Sequence, residues 1–370
     1  MTAIRDLEKS LPSSWYRDGG VFDIEINHIF SKEWFVACRA ESLPDIGDHL
    51  ALEWFGQNLL IVRNPEGQLK AFHNVCRHRG SKLCYESDVI THGGVTKQQT
   101  IVCPYHLWTY DLDGRLIKAP HLADHEIGDV TLYPVSLAEW GGFVFLNLSL
   151  DSISFSNHIA IFKEAYCRYP LAELKTGAYV EYDVAANWKI LCENFNECYH
   201  CGPVHPELCQ LVPAFREAGG ADLDWEEGIP HREGATTFTA SGESDRRSFP
   251  DLNEDEQTRH KGEIVYPNLF LSMSRDYVVA VILKPESAGR TTMCCYFLFE
   301  TSELSKETFN ADDAIEFWDL INRQDFAICE SVQQGIGSSA HEIGLYSPME
   351  DWNLDIRHYV TDRIGGLLKL

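Results

Sequence analysis

The chain has 370 residues, of which 44% are hydrophobic and 24% are charged, and its formal net charge is −25. These proportions are those of a soluble globular protein and exclude a disordered or fibrous chain. So large an excess of carboxylates also excludes nonspecific nucleic-acid binding, which requires clustered Lys and Arg. The acidity either serves solubility or attracts a cationic substrate or partner.

The cysteines and the first residues indicate the compartment. The chain has twelve cysteines, and its first six residues contain no apolar signal core. No apolar run approaches the roughly 18 residues that a membrane helix requires. We therefore expect a cytoplasmic protein with no membrane partner, whose cysteines are thiols or metal ligands rather than disulfides.

The pattern of apolar residues divides the chain into three parts and predicts an α+β protein. Residues 1–40 form a leader with an apolar helical face over 22–30, which we expect to pack on the last domain. Residues 41–150 read as short alternating strands separated by turns, which predicts an all-β domain. Residues 151–370 contain predicted strands at 177–186, 269–273, 277–284 and 290–299, an irregular excursion at 216–262 that we expect to cover a site, and a long, largely buried helix over 312–334.

Two short boxes in the second part each supply one thiolate and one imidazole, Cys76-x-His78 and Cys103-x-x-His106. A Rieske [2Fe-2S] cluster takes this set, since two His replace two Cys on one of its irons. A tetrahedral zinc accepts the same residues, but zinc sites usually pair Cys with Cys and His with His along the chain. We predict a Rieske cluster on these four residues and one-electron transfer.

A second group of ligand-type residues lies at 193–206. Gly202-Pro203 separates His200 from His205, and we expect a helix break there to bring the two imidazoles together. Two imidazoles and a carboxylate form the facial triad of non-haem Fe(II) oxygenases. Cys198 and Cys201 offer a closed zinc site with the same histidines, but an iron triad would give the electrons of the cluster an acceptor.

The carboxylate of the triad must come from another segment. We choose Asp325 because we expect its neighbours Arg323 and Gln324 to be solvated and the next apolar residues to be buried. A surface acid is the alternative, and the same helix offers two other candidates, Asp319 and Glu330. Glu197 lies one helical turn before His200, so it is either a carboxylate that orients this imidazole or a solvated helix acid.

These motifs closely resemble the α subunits of Rieske non-haem iron oxygenases, the aromatic-ring-hydroxylating family. The resemblance runs through nearly the whole chain and rests on four stretches: Cys76-Arg77-His78-Arg79-Gly80, Cys103-Pro104-Tyr105-His106-x-Trp108-x-Tyr110, Asn187-Trp188-Lys189 and Glu193-Asn194-x-x-Glu197-x-Tyr199-His200-x-x-x-x-His205. It implies a helix-grip catalytic domain, in which an antiparallel sheet wraps a long C-terminal helix, and it places the iron carboxylate at Asp325. It also implies a homotrimer in which Glu197 bridges the iron of one subunit and His106 of the next.

Departures from the ring dioxygenases indicate the branch. Glu197 replaces the usual Asp, Leu107 replaces the usual Gly, the interval from His78 to Cys103 is longer, and Cys84 is additional. These features resemble the oxygenases of glycine betaine, stachydrine and carnitine. The resemblance implies that O2 hydroxylates an N-methyl group of a quaternary ammonium substrate, and that the hemiaminal collapses to formaldehyde and the demethylated amine. The faces of aromatic rings would hold such a cation. The candidate cage residues are Phe215, Trp225, Phe238, Tyr266 and Phe270, and the alternative is that they pack in the core.

The electrons must come from a partner, because the chain has no Gly-x-Gly-x-x-Gly dinucleotide fingerprint. We expect NAD(P)H to supply them through a separate ferredoxin or flavin reductase. Arg77, Arg79 and Lys82 either dock that reductase or form a solvated basic loop. Two other functions remain open: hydroxylation or O-demethylation of an aromatic compound by the same machinery, and an electron-transfer protein with a degenerate second site.

Overall fold

The computed structural model describes residues 6–85, 94–95, 99–122, 127–149, 153–217 and 223–368. The chain forms two compact units: a small unit of Ser31–Ile153, and a large unit that combines Met1–Phe30 with Ser154–Leu370. The sequence-based boundaries were 41 and 151. The described part of the expected leader is therefore shared, since residues 6–30 belong to the large unit and residues 31–40 to the small one.

Strands and helices are numbered in chain order. The strands are β1 (Lys9–Pro12), β2 (Phe35–Arg39), β3 (His49–Trp54), β4 (Gln57–Arg63), β5 (Leu69–His73), β6 (Gly94–Val95), β7 (Thr100–Val102), β8 (Thr109–Asp111), β9 (Leu116–Lys118), β10 (Pro134–Trp140), β11 (Phe143–Asn147), β12 (Lys175–Val184), β13 (Ile229–Pro230), β14 (Arg259–Val265), β15 (Leu269–Met273), β16 (Val278–Ser287), β17 (Arg290–Phe299) and β18 (Ile343–Leu345). The α-helices are α1 (Ser13–Arg17), α2 (Gly19–Glu25), α3 (Phe155–His158), α4 (Ala160–Ala165), α5 (Trp188–Asn196), α6 (Cys201–Val204), α7 (Pro206–Leu211), α8 (Thr301–Leu304), α9 (Asp312–Gly335) and α10 (Asn353–Ile364).

The small unit is built from two antiparallel sheets, in the orders β2-β11-β10-β5-β4-β3 and β6-β7-β8-β9. The turn from β8 to β9 requires a glycine: Gly114 has φ 83°, and a Cβ there would lie 2.6 Å from the ring of Phe72. One metal box follows β5 and the other follows β7. Cys76 and Cys103 belong to the buried apolar core of this unit. The packing of the core therefore fixes the positions of the two cysteine sulfurs.

The large unit contains an antiparallel sheet in the order β12-β17-β16-β15-β14-β13, and α9 contacts both β12 and α5. This is the predicted sheet with its long helix. α9 is less buried than expected, because Leu320, Ile328 and Val332 are 39%, 40% and 42% exposed. The described part of the excursion before β14 is irregular as expected apart from the short strand β13, and Arg246 within it pairs with Asp276 and Asp313.

A buried polar cluster joins the N-terminal segment to the start of α5. Lys189 Nζ lies 2.5 Å from Glu25 Oε1, and both side chains are fully buried. Trp188 Nε1 donates to the other oxygen of Glu25 at 2.9 Å, and Asn187 Nδ2 donates to the carbonyl of Tyr16 at 3.0 Å. Residues far apart in the chain thereby fix the position and direction of α5.

We expect Lys189→Met to destabilise the large unit strongly, because it leaves Glu25 as an uncompensated buried charge. Removing one partner of a buried pair costs about 3–5 kcal/mol. The matched control is Arg290→Met, which breaks the exposed pair with Asp183, and exposed pairs contribute about 0–1 kcal/mol. Urea unfolding followed by circular dichroism measures both. Equal losses in the two variants would show that the buried pair does not hold α5.

Candidate metal centres and substrate pocket

The local chain path between α5 and α7 brings the two predicted histidines together. α5 ends at Asn196, and Glu197 is extended, with φ −134° and ψ 150°. His200 and His205 then flank the single turn of α6 on either side. Our prediction that Gly202-Pro203 breaks the helix was wrong, since these residues lie within α6 and the break falls at Glu197. The contact between Glu197 and His200 therefore arises from a turn and not from one helical face.

His200, His205 and Asp325 offer ligand atoms that all lie within 4.8 Å of one another. Asp325 Oδ1 is 2.8 Å from His205 Nε2 and 3.3 Å from His200 Nε2. Asn194 adds a polar contact, since its Nδ2 donates to Asp325 Oδ1 at 3.1 Å. Two imidazoles and one carboxylate converging in this way match the donor set of a facial triad.

The other carboxylate candidates of α9 lie elsewhere. Asp319 accepts hydrogen bonds from Tyr182 and Arg323, and Glu330 accepts one from the backbone of Ala185. The reasoning that selected Asp325 was only partly sound. Arg323 is solvated as expected, but Ile328 is 40% exposed and Gln324 binds a histidine of the site.

Each histidine has its Nδ1 held by an oxygen, which leaves Nε2 for the centre. His200 Nδ1 lies 2.6 Å from Glu197 Oε1, and His205 Nδ1 lies 2.7 Å from Gln324 Oε1. A carboxylate or amide oxygen can only accept, so Nδ1 donates in both contacts. Such partners fix the tautomer and ring orientation of a metal ligand. Sequence reasoning found Glu197 but missed Gln324, although its position next to Asp325 was a usable signal.

The site is electrostatically ready for a cation. Burial alone would raise the pKa of Asp325, but hydrogen bonds from His200 and His205 hold it below its usual range. Burial alone would likewise lower the pKa of His200, but hydrogen bonds with Asp325, Cys201 and Glu197 raise it. A metal ligand must be a neutral imidazole, so metal binding competes with protonation of His200.

A mostly apolar pocket of about 100 Å³ opens onto these residues. Four of the five predicted cage residues line it, namely Phe215, Trp225, Phe238 and Phe270. Tyr266 does not, because its ring stacks on Tyr359 at 4.4 Å. Three further aromatic residues line the pocket that the sequence had not suggested as cage residues: Phe195, Trp318 and Phe326.

In the small unit, the two boxes bring thiols and imidazoles to one place. Cys76 and Cys103 are 3% and 2% exposed, whereas the rings of His78 and His106 lie 4.6 Å apart near the surface. Tyr110 contacts Cys76 Sγ through its hydroxyl at 3.2 Å. His106 Nδ1 is a buried atom without a hydrogen-bond partner. Two buried sulfurs and two outer imidazoles, one with an unpaired nitrogen, fit the mixed ligation of a Rieske cluster.

Comparison with known proteins identifies both units. Residues 33–134 match the Rieske [2Fe-2S] domain, and residues 171–366 match the catalytic domain of the ring hydroxylating alpha subunit. The second match covers more than half of the chain. The chain belongs to the ring-hydroxylating oxygenase α-subunit family. The predicted family, fold class and oxygenase activity are therefore confirmed, and the two domains imply a Rieske cluster and a mononuclear iron. Electron supply from NAD(P)H through a reductase is typical of this family.

Individual relatives in this family oxidise quaternary ammonium compounds, according to their names. The glycine betaine monooxygenase oxygenase subunit of Pseudomonas aeruginosa strain UCBPP-PA14 is 31% identical, over 94% of this chain and 87% of that protein. The carnitine monooxygenase oxygenase subunit of Acinetobacter pittii strain PHEA-2 is 28% identical, over 91% and 87%. A crystal structure of the quaternary ammonium Rieske monooxygenase CntA with γ-butyrobetaine superposes with a TM-score of 0.73 at 23% identity, covering 97% of this chain and 96% of that one.

The family assignment also decides between the metals left open above. The closed zinc site would need the thiols of Cys198 and Cys201, but the ligand atoms that converge within 4.8 Å of one another belong to His200, His205 and Asp325, and the family carries iron. Within the part of the chain that the structure describes, no helix has the length and apolarity needed to cross a membrane.

We expect Gln324→Leu to weaken iron binding by about 10–100-fold, the usual effect of removing a hydrogen-bond partner from a metal-binding His. Gln324→Glu keeps an oxygen opposite His205 Nδ1 and should retain most of the affinity. Fe(II) titration of the iron-depleted protein, with the Rieske absorbance as an internal standard, measures both variants. Equal affinities for the Leu and Glu variants would show that the Gln324 oxygen does not orient His205.

Proposed function

We propose that this chain is the terminal oxygenase of a multi-component system that hydroxylates an N-methyl group of a betaine-type quaternary ammonium substrate, which then releases formaldehyde. The observation that carries the proposal is the aromatic pocket directly on the His200, His205 and Asp325 triad. A quaternary ammonium cannot donate hydrogen bonds and is held by the faces of aromatic rings. The names of the two relatives support the same substrate class.

His200, His205 and Asp325 would hold the mononuclear iron, and Cys76, His78, Cys103 and His106 would hold the cluster. When bound, these groups supply single electrons and O2 activation. The chain's own residues prepare the site: Glu197 and Gln324 orient the imidazoles, while Asn194 donates to the carboxylate. The aromatic walls would surround the methylated cation and place one of its methyl groups, rather than the charged nitrogen, toward the triad.

A homotrimer would complete the electron route. Glu197 contacts His200 Nδ1 at 2.6 Å, and in such a trimer its carboxylate would bridge to His106 of a neighbouring subunit. Arg77 and Arg79 would face the reductase. Their guanidinium groups lie 4.2 Å and 5.6 Å from the ring centroids of Tyr133 and Tyr105, respectively, and these tyrosines are 47% and 56% exposed. A basic and aromatic surface suits an acidic electron-transfer partner.

Substrate-dependent O2 consumption with a surrogate reductase tests the activity. Glycine betaine, carnitine, γ-butyrobetaine and simple arenes form the panel, and formaldehyde is assayed with each. We expect formaldehyde from at least one N-methyl compound and no diol from the arenes. His200→Ala should abolish formaldehyde release, whereas reduction of the cluster should be unchanged. Diol formation from an arene without formaldehyde from any N-methyl compound would favour the aromatic alternative.

We expect Glu197→Gln to slow the substrate-triggered oxidation of the reduced cluster by more than about tenfold, because a neutral amide accepts hydrogen bonds from the two metal-binding imidazoles more weakly than a carboxylate does. The amide oxygen can still accept from His200 Nδ1, so iron should remain bound. Stopped-flow absorbance of the cluster, together with iron analysis, separates these effects. Glu330→Gln is the matched control on a carboxylate outside the triad. An unchanged rate in Glu197→Gln with both metals present would exclude the bridge.

A further inference from the structure

The polar side chains that line the pocket divide into those that the metal centre uses and those that it does not. Among the described lining residues, the first group consists of the triad and the side chains that contact it, and the pocket also contains two thiols. Two other hydrogen-bonding side chains remain, His260 on the sheet and Asn322 on α9. Polar side chains in a mostly apolar pocket that do not serve the metal centre require another explanation.

His260 belongs to the wall that the sheet forms. It lies in β14 two residues before Gly262, and side chains two apart in a strand share a face. Both residues line the pocket. The ring of His260 stacks on Phe238, with 4.3 Å between centroids and 27° between planes, and the residue is only 5% exposed. Stacking occupies a face of the ring, whereas the nitrogens form hydrogen bonds in its plane, so this packing holds the ring without using them.

The two ring nitrogens of His260 have different surroundings. Nε2 lies 3.3 Å from Ser272 Oγ, whereas Nδ1 is buried and has no hydrogen-bond partner in the described part of the chain. The neighbouring ring of His231, 6.5 Å away between centroids, does not supply one, since both of its own nitrogens are likewise buried and unpartnered. An unpaired buried polar group costs about 1–3 kcal/mol. A ligand atom that pairs with Nδ1 recovers this free energy without first displacing water.

Burial keeps His260 uncharged. It lowers the pKa of this imidazole to about 3, with a smaller contribution from His231. A neutral ring does not repel a quaternary ammonium cation in the same pocket. It carries a single N–H, and because the Ser272 hydroxyl can either donate to Nε2 or accept from it, Nδ1 can serve as acceptor or as donor. A hydroxyl oxygen and a carboxylate oxygen are therefore both suitable partners.

We propose that His260 is a specificity-determining residue, whose Nδ1 pairs with an oxygen of the substrate while the aromatic rings surround the methylated nitrogen. The pocket is about 100 Å³, so this oxygen must lie close to the nitrogen. The ligand class is a compact N-methylated ammonium compound that carries a hydroxyl or a carboxylate near its cation. This rests on the proposed function and deepens it, since it names the second chemical group that the pocket recognises.

Two pairs of ligands test the contact, and each pair consists of an oxygen compound and a hydrocarbon of the same shape. Choline is compared with n-propyltrimethylammonium, and glycine betaine with isobutyltrimethylammonium. Isothermal titration calorimetry on the anaerobic holoprotein measures the dissociation constants, and the wild type should prefer at least one oxygen compound to its hydrocarbon. We expect His260→Phe to weaken that compound by about tenfold, or about 1.4 kcal/mol, and to change the hydrocarbon by less than about twofold. The pair that responds identifies the oxygen as hydroxyl or carboxylate.

Two further variants separate hydrogen bonding from packing. His260→Asn returns a polar atom to the neighbourhood of Nδ1 and should recover part of the preference for the oxygen compound. His231→Phe is the matched control and should leave the preference unchanged. His231 is buried beside His260, but it is not among the described residues that line the pocket.

Several outcomes would overturn the contact: no preference for either oxygen compound in the wild type, equal weakening of an oxygen compound and its hydrocarbon by His260→Phe, or the same selective loss in His231→Phe. A selective loss in Asn322→Leu but not in His260→Phe would assign the oxygen to α9 instead. Formaldehyde release is assayed separately. The expected binding pattern without formaldehyde from any N-methyl compound would refute N-demethylation and keep the contact, whereas no binding of any ligand to the wild type would overturn both.

Discussion

The fully buried ion pair between Glu25 and Lys189 is the contact on which the catalytic geometry depends. It fixes the first turn of α5 to a segment more than 160 residues earlier in the chain, and α5 carries Asn194 and ends one residue before Glu197. At its other end, Glu193 accepts hydrogen bonds from Tyr16 and Tyr346; burial is the main reason that its pKa rises to about 7. A displacement of α5 would therefore move the oxygen that orients His200.

The iron site is defined as much by the partners of its ligands as by the ligands themselves. Glu197 and Gln324 hold the two Nδ1 atoms, one from the turn after α5 and the other from α9. Glu197 lies three residues after Asn194, and Gln324 lies next to Asp325. A small shift of α5 or of α9 therefore moves an orienting residue together with Asn194 or Asp325. This coupling requires α5 and α9 to pack directly against each other, as they do, and it explains why the site needs the helix as well as the sheet.

Strand positions could be predicted well because they depend on local alternation: β15 and β17 were predicted with the same ends that the structure shows. The two α9 residues of the iron site, Asp325 and Gln324, could not be predicted in the same way. Asp325 was chosen partly from the expected burial of Ile328, which is exposed, and the role of Gln324 depends on a contact 119 residues away. Gly202-Pro203 looked like a helix end, yet α6 tolerates it because a single turn contains no hydrogen bond that Pro203 must donate. Long-range pairing, rather than local propensity, decides these positions.

The two explanations of the aromatic residues, core packing and cation binding, turn out to be compatible. Phe270 stacks on Phe195 with 4.5 Å between ring centroids, and Phe215 stacks on Trp225 at 5.8 Å, so each ring that faces the pocket is fixed by another ring behind or beside it. A cage for a methylated cation requires such rigidity, since it cannot be assembled by hydrogen bonds to the ligand.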